Sequence, residues 1–244
     1  MIANVTLYLL SPQGSRISSI RMQIRPGEQI AKVASELFPD AATDGWIGVS
    51  TDAEEMDAFW LTYDAEMTYL DGGEAAQVET TGADQVIPLV AGDTELTVLC
   101  LSGLQSAVPV TIRLFGSDGS ELAPAFTEGL PSIGALRAKV SLMFPSADMA
   151  EARYMRITSS RSVASSALIK HFLVPFEAAV VNGVNVGTSM HMNFPHIVNG
   201  KVPGANYTTT IGVTNLSNSP QTISITFNPD AGIPIVAMRD LTGN

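Results

Sequence analysis

The chain has 244 residues, 45% of them hydrophobic, with one cysteine and a formal net charge of −11. That length suits about two domains, each able to bury a core. The negative balance and the lack of a basic stripe argue against nucleic acid as a partner. The single Cys100 excludes an internal disulfide framework.

In chain order, the first feature is a period of two. Val5, Leu7 and Leu9 alternate with Thr6, Tyr8 and Leu10, and a turn signal, Ser11-Pro12-Gln13-Gly14, follows. Ile20, Met22 and Ile24 then alternate with Arg21, Gln23 and Arg25. These are strands with one buried face, joined where glycine supplies a positive φ. Residues 28–38 break the pattern, with Ile30, Val33, Ala34 and Leu37 at helical spacing before Phe38-Pro39. Proline disfavours further helix, so a short helix is expected to end there. Strands are expected next over 45–50 and 57–64. A loop or linker is expected over 71–84, which contains Asp71-Gly72-Gly73-Glu74.

The pattern then starts again. Leu96, Val98 and Cys100 alternate with polar or outward residues, and Val110-Thr111-Ile112 precedes Ser117-Asp118-Gly119. Gly119 lies 105 residues after Gly14, and Gly232 lies 113 residues after Gly119, behind Ile223-Ser224-Ile225. Phe144-Pro145 matches Phe38-Pro39, Ala138-Lys139-Val140 echoes Ala31-Lys32-Val33, and Phe194-Pro195 matches Ile87-Pro88. Ile133, Leu136, Val140 and Met143 predict the second helix; strands are expected over 152–158 and 165–173, and a turn-rich junction over 180–192. A repeat of this length is a domain, not a solenoid unit.

The expected division is 1–85, a β-sandwich repeat lacking its first strand; 86–193, a complete repeat; and 194–244, the early part of a third. Roughly seven strands and one short helix per repeat suit a two-sheet sandwich. The incomplete ends have two readings: the chain is an excerpt of a longer polypeptide, the favoured one, or neighbouring subunits complete each other head to tail.

Charge divides the repeats. Residues 36–95 hold fifteen acids and no lysine or arginine, while 142–201 hold five bases and three acids. A solvated acidic face is the commoner cause of such a run; complementarity between successive domains or subunits is the sharper reading.

Chemistry-bearing residues are few. His171, His191 and His196 have no zinc spacing. Asp52, Glu54, Glu55 and Asp57 lack the spaced pattern of a calcium loop, so a solvated hairpin tip is expected. Asp64 and Glu66 resemble a glycosidase carboxylate pair only in residue type. Trp46, Trp60 and Tyr154 raise the question of a sugar-stacking platform, but packing is the usual role of such residues. Asn4, Asn206 and Asn215 begin glycosylation sequons, which decide little in a Thr/Ser-rich chain. Nucleotide, nucleophile-elbow and HExxH motifs are absent. No catalytic, cofactor-binding or metal residue is therefore assigned, and no enzyme activity is expected. No membrane span is expected either, since the longest apolar run is interrupted by Lys170, His171, Pro175 and Glu177. Met1-Ile2-Ala3-Asn4 lacks the basic start of a signal peptide, so any export signal would lie outside these residues.

Two signatures carry a resemblance. One is Phe194-Pro195-His196-Ile197-Val198-Asn199-Gly200, then Tyr207-Thr208-Thr209-Thr210-Ile211-Gly212-Val213-Thr214-Asn215; the other is Arg25-Pro26-Gly27-Glu28 leading to Phe38-Pro39. They resemble the tandem immunoglobulin-like repeats of large secreted or surface-exposed bacterial proteins. The second copy departs from the pattern, with Pro131-Ser132-Ile133-Gly134. The resemblance implies all-β, immunoglobulin-like or fibronectin-like sandwiches in tandem and an extracellular or cell-surface location. With the repeat, it leads to an expected structural role as stalk, sheath or filament subunit. Expected partners are other copies of the chain or adjacent repeats. The alternative is an adhesive module recognising cell-surface glycans or a partner surface.

Overall fold

The computed structural model describes residues 2–40, 45–63, 70–76, 81–88, 90, 93–101, 103, 106–171, 177–187, 200–202, 205–207, 213–217, 219–227 and 235–241. Among these residues the architecture is all-β with two four-residue helices.

The chain opens with β1 (Ala3–Leu10) and β2 (Arg16–Ile24), an antiparallel hairpin with Ala3 opposite Ile24. Helix α1 (Ala34–Leu37) and β3 (Trp46–Thr51) follow. Strand β3 returns to the free edge of β1, giving a three-stranded sheet in the order β2-β1-β3. A second hairpin joins β4 (Phe59–Tyr63) to β5 (Leu70–Glu74).

The larger sheet comprises β6 (Gly82–Ile87), β7 (Asp93–Cys100), β8 (Val108–Phe115), β9 (Phe126–Leu130) and β10 (Ala135–Lys139). After α2 (Val140–Met143) it adds β11 (Tyr154–His171), β12 (Glu177–Asn182) and β13 (Val184–Asn185). The eighteen-residue β11 organises it. Its first half runs between β6 and β8, with Met155 opposite both Ile87 and Leu114. Its second half runs between β7 and β12, with Ala167 opposite both Leu96 and Val181. The register shift between Thr158 and Val163 marks the change of neighbours. Inward residues of both halves, among them Leu96, Val98, Ile112, Leu114, Met155 and Ile157, join one buried cluster with Phe144 of the α2 cap. The alternation read in the sequence is the alternation of burial: β7 places Thr94, Leu96, Val98 and Cys100 inside and intervening residues at the boundary. Cys100 is fully buried, a small apolar core residue. The C-terminal part adds the short hairpin β14 (Gly200–Val202) and β15 (Ala205–Tyr207), then β16 (Gln221–Phe227) paired with β17 (Ile235–Leu241).

The repeat markers coincide in three dimensions. The Gly14 N–H donates to the Ser11 carbonyl and the Ser11 N–H to Ser15; the Gly119 N–H donates to Gly116 and the Gly116 N–H to Ser120. Both glycines have a φ near +80°. Leu10 faces Trp46 and Phe115 faces Tyr154, so β1–β3 and β8–β11 share one register. Phe38 and Phe144 occupy equivalent places, each capping its helix by donating its N–H to the first helical carbonyl, and each is buried. The hairpin of β16 and β17 again sets Gln221 opposite Leu241, as Val108 faces Leu130 and Ala3 faces Ile24.

Three kinds of expectation need correction. The helices predicted over 28–38 and 133–143 shrink to Ala34–Leu37 and Val140–Met143. Residues of the second stretch form β10 instead, because pairing with β7 satisfies their backbone groups and overrides a weak helical spacing. The separate strands expected over 152–158 and 165–173 are one strand, β11, and the sheet is continuous through it. The junctions expected as a linker and turns carry β5 in the first case and β12 and β13 in the second. The glycine-bearing turn expected after Ile223-Ser224-Ile225, Asn228-Pro229-Asp230-Ala231-Gly232, lies outside the described residues.

The first hairpin tip meets the second repeated segment. The Ala135 N–H donates to the Pro12 carbonyl at 2.8 Å. A Cβ on Gly14 would clash with the Ser132 carbonyl oxygen, whereas one on Gly27, also at positive φ, would meet nothing within 4 Å. Gly27→Ala should therefore cost about 1 kcal/mol, the left-handed backbone penalty alone. Gly14→Ala should cost clearly more, because the docked turn must also move. Urea unfolding of the two variants checks the order, and equal losses would contradict the contact.

Candidate functional site

The sequence-read candidates scatter. Trp46 packs beside Leu10 of β1, and its indole N–H is buried with no hydrogen-bond partner among the described residues. Tyr154 is buried and stacks on Phe115, with ring centroids 4.7 Å apart and planes 5° from parallel. Neither reaches Trp60, so the three do not form a platform. His191, His196, Asp64 and Glu66 lie outside the described residues, and His171 closes β11. Among the described residues no group of three or more metal-ligating side chains converges. Asn4 of the first sequon is held by Asp52, and the Asn215 side chain donates to the Ser219 carbonyl.

Trp60 instead lines an open groove of about 260 Å³ between the β4–β5 hairpin and the outer face of the large sheet. Glu74, Gln85, Thr97, Ser165 and Asn182 contribute polar atoms to its wall. The buried Ser165 hydroxyl donates to Gln85 Oε1 at 2.7 Å, and Gln85 Nε2 donates to Asn185 Oδ1 at 3.0 Å. This chain of satisfied polar groups holds the floor rigid. Hairpin β4–β5 is held over it by Asp71, whose carboxylate accepts the Val180 N–H at 2.6 Å. Sequence reasoning missed the groove because its walls come from strands about a hundred residues apart. A lone exposed tryptophan was the only available signal.

The charge division has a partial explanation inside the chain. Asp84 takes a bidentate pair of hydrogen bonds from Arg156, at 2.9 and 2.6 Å, across β6 and β11. Glu95 meets Arg137 at 2.5 Å and Asp93 meets Lys139 at 2.8 Å, across β7 and β10. Three acids of the acidic stretch are thus matched by bases of the second repeat. Hydrogen bonding to Asp84 raises the Arg156 pKa, against a smaller opposing effect of burial. Asp52 sits below the usual carboxylate range because Asn4 donates to it from side chain and backbone. Asp118 is lowered likewise by the Ser120 hydroxyl and N–H. No helix among the described residues is long and apolar enough to cross a membrane.

Two outcomes follow. Asp84→Asn should lower stability by about 1 kcal/mol, a half-exposed bidentate pair being screened by solvent. The gap from the parent chain should narrow at high salt. Urea midpoints at two salt concentrations check both. Asp52 and Asp118 have depressed native pKa values, so their contributions are present above the unfolded value of about 3.9 and vanish as pH falls through the native value. A chain carrying Asp52→Asn and Asp118→Asn should therefore lose less stability on acidification below about pH 4, measured by denaturant unfolding across that range.

Comparison with protein-family models, curated proteins and solved structures gives no match.

Proposed function

We propose that this chain is a non-catalytic structural protein, built from tandem immunoglobulin-like β-sandwich repeats, that assembles with copies of itself as a stalk, sheath or filament subunit. An extracellular or cell-surface location is part of the same proposal. One observation carries it: the hairpin of β1 and β2 recurs in β8–β9 and β16–β17 with one register, yet the strands around it differ. Among the described residues, the middle hairpin sits in an eight-stranded sheet, the first in a sheet of three, and the last in a sheet of two. Open strand edges favour association with further strands. Phe59, Leu61, Tyr63, Phe227 and Met238 are exposed beside the less complete hairpins.

The adhesive alternative rests on the Trp60 groove, where an aromatic edge stands among amide and hydroxyl groups suited to a sugar.

The test is negative-stain microscopy with sedimentation of the full chain over a concentration series. The structural reading expects regular oligomers or filaments that grow with concentration. A chain that stays monomeric throughout, yet binds immobilised glycans and loses that binding in Trp60→Ala, would replace it with the adhesive reading.

A further inference from the structure

The contact between the first hairpin tip and the second repeated segment has two parts, a tip and a turn, and the described residues carry each part twice. The tip over 11–15 recurs over 116–120. In both, the glycine N–H donates to the carbonyl three residues back, Gly14 to Ser11 and Gly119 to Gly116, and the glycine has a φ of 81° or 80°. The receiving turn over 131–135 follows the end of β9 at Leu130, as 25–29 follows the end of β2 at Ile24. In both turns an N–H closes onto the carbonyl three residues back, Gly134 to Pro131 and Glu28 to Arg25, each at 2.9 Å. The residue before that donor has a positive φ in both, 55° at Ile133 and 76° at Gly27.

Only one tip and one turn are engaged with each other. Tip 11–15 lies on turn 131–135, where the Ala135 N–H donates to the Pro12 carbonyl. Pro12, Ser132 and Ala135 are half-buried there. At the other tip Ser117 and Asp118 are exposed, and at the other turn every residue of 25–29 is exposed. Gln29 and Ser117 are the counterparts of Ala135 and Pro12. Among the described residues no hydrogen bond reaches the Gln29 N–H or the Ser117 carbonyl.

We propose that the 116–120 tip of one copy of this chain docks on the 25–29 turn of a second copy, repeating between chains the contact that 11–15 makes with 131–135 within one; this rests on the self-assembly reading above. The Gln29 N–H then donates to the Ser117 carbonyl of the other copy. Gly119 passes the Pro26 and Gly27 carbonyls as Gly14 passes those of Ser132 and Ile133, an approach that any Cβ at Gly14 would block. Both surfaces already hold the backbone geometry of the engaged pair, so docking orders little new chain. The acids of the two segments are tied back: Asp118 accepts from the Ser120 N–H and hydroxyl, and Glu28 accepts from the Arg25 N–H. Arg25 is the one cation of the two segments. The contact is heterologous, because a tip meets a turn, so copies add head to tail and form a filament unless the rotation closes a ring. A tip on a turn is a small contact, and association should therefore grow with concentration.

The experiment mixes full-length Ser117→Cys chains with full-length Gln29→Cys chains under mild oxidation over a concentration series, read on non-reducing gels. The native Cys100 is buried. A chain carrying Pro12→Cys and Ala135→Cys is the reference for the same contact inside one molecule. Their N–H to carbonyl bond of 2.8 Å holds the two Cα atoms within about 7 Å, the reach of a disulfide. The reference should therefore close within the chain. The mixed chains should give about tenfold more linked heterodimer than Gln29→Cys mixed with Glu128→Cys, an exposed position on β9 outside the contact. A reference that stays open removes the contact being copied, and the proposal with it. Linkage no greater than with Glu128→Cys overturns tip-to-turn docking. A chain carrying both Ser117→Cys and Gln29→Cys that closes on itself as a monomer overturns a second copy as the occupant. Sedimentation of the same samples separates the two ideas: oligomers without the link leave self-assembly standing at another surface, and monomers throughout remove both.

Discussion

Backbone pairing along β11 is the constraint on which the rest of the structure depends. A strand buried among apolar neighbours must have its N–H and C=O groups met by other strands, because water cannot reach them. Strand β11 meets this by changing neighbours midway, from β6 and β8 to β7 and β12. That change brings the inward faces of both halves onto one core, and Phe144 closes it from the α2 cap. Pro145 ends the helix at that point, so a local signal becomes a packing element.

The other hairpins have the same local construction without the same surroundings. Val5, Leu9, Leu10 and Phe38 are buried, but most of β2 and β4 is exposed or half-buried. The same alternating pattern therefore yields a core in one place and an exposed apolar edge in another. Function, on the reading proposed above, is located in this difference and not in any cluster of reactive groups. The acidic stretch is used in part inside the chain: Asp84, Asp93 and Glu95 pair with Arg156, Lys139 and Arg137 across the strands of the large sheet.

Much of the fold was readable from the order of residues along the chain. Alternation located β1, β2, β7 and β16, because a half-buried strand imposes a period of two on its side chains. Gly14 and Gly119 announced their turns, because positive φ excludes most other residues. The helix ends at Phe38 and Phe144 followed from the prolines after them. The helix starts did not, since Leu136 and Ala138 are equally compatible with a strand once β7 is beside them. Ile133 shows the same limit: it adopts a φ of 55° at the turn where the earlier segment has Gly27. A branched residue gives no local sign of that conformation.

The sequence by itself determined the strands, their turns and their repetition, because these follow from interactions between residues close along the chain. Only the tertiary structure decided which edges are paired, that β11 is one strand serving two sets of neighbours, and that Trp60 stands over a polar groove while Trp46 and Tyr154 are packed away. Those outcomes depend on contacts between residues far apart in the chain, such as Asp84 with Arg156 and Asp71 with Val180. Local periodicity carries no record of such distant partners, since the same alternating strand can be central, at an edge or unpaired.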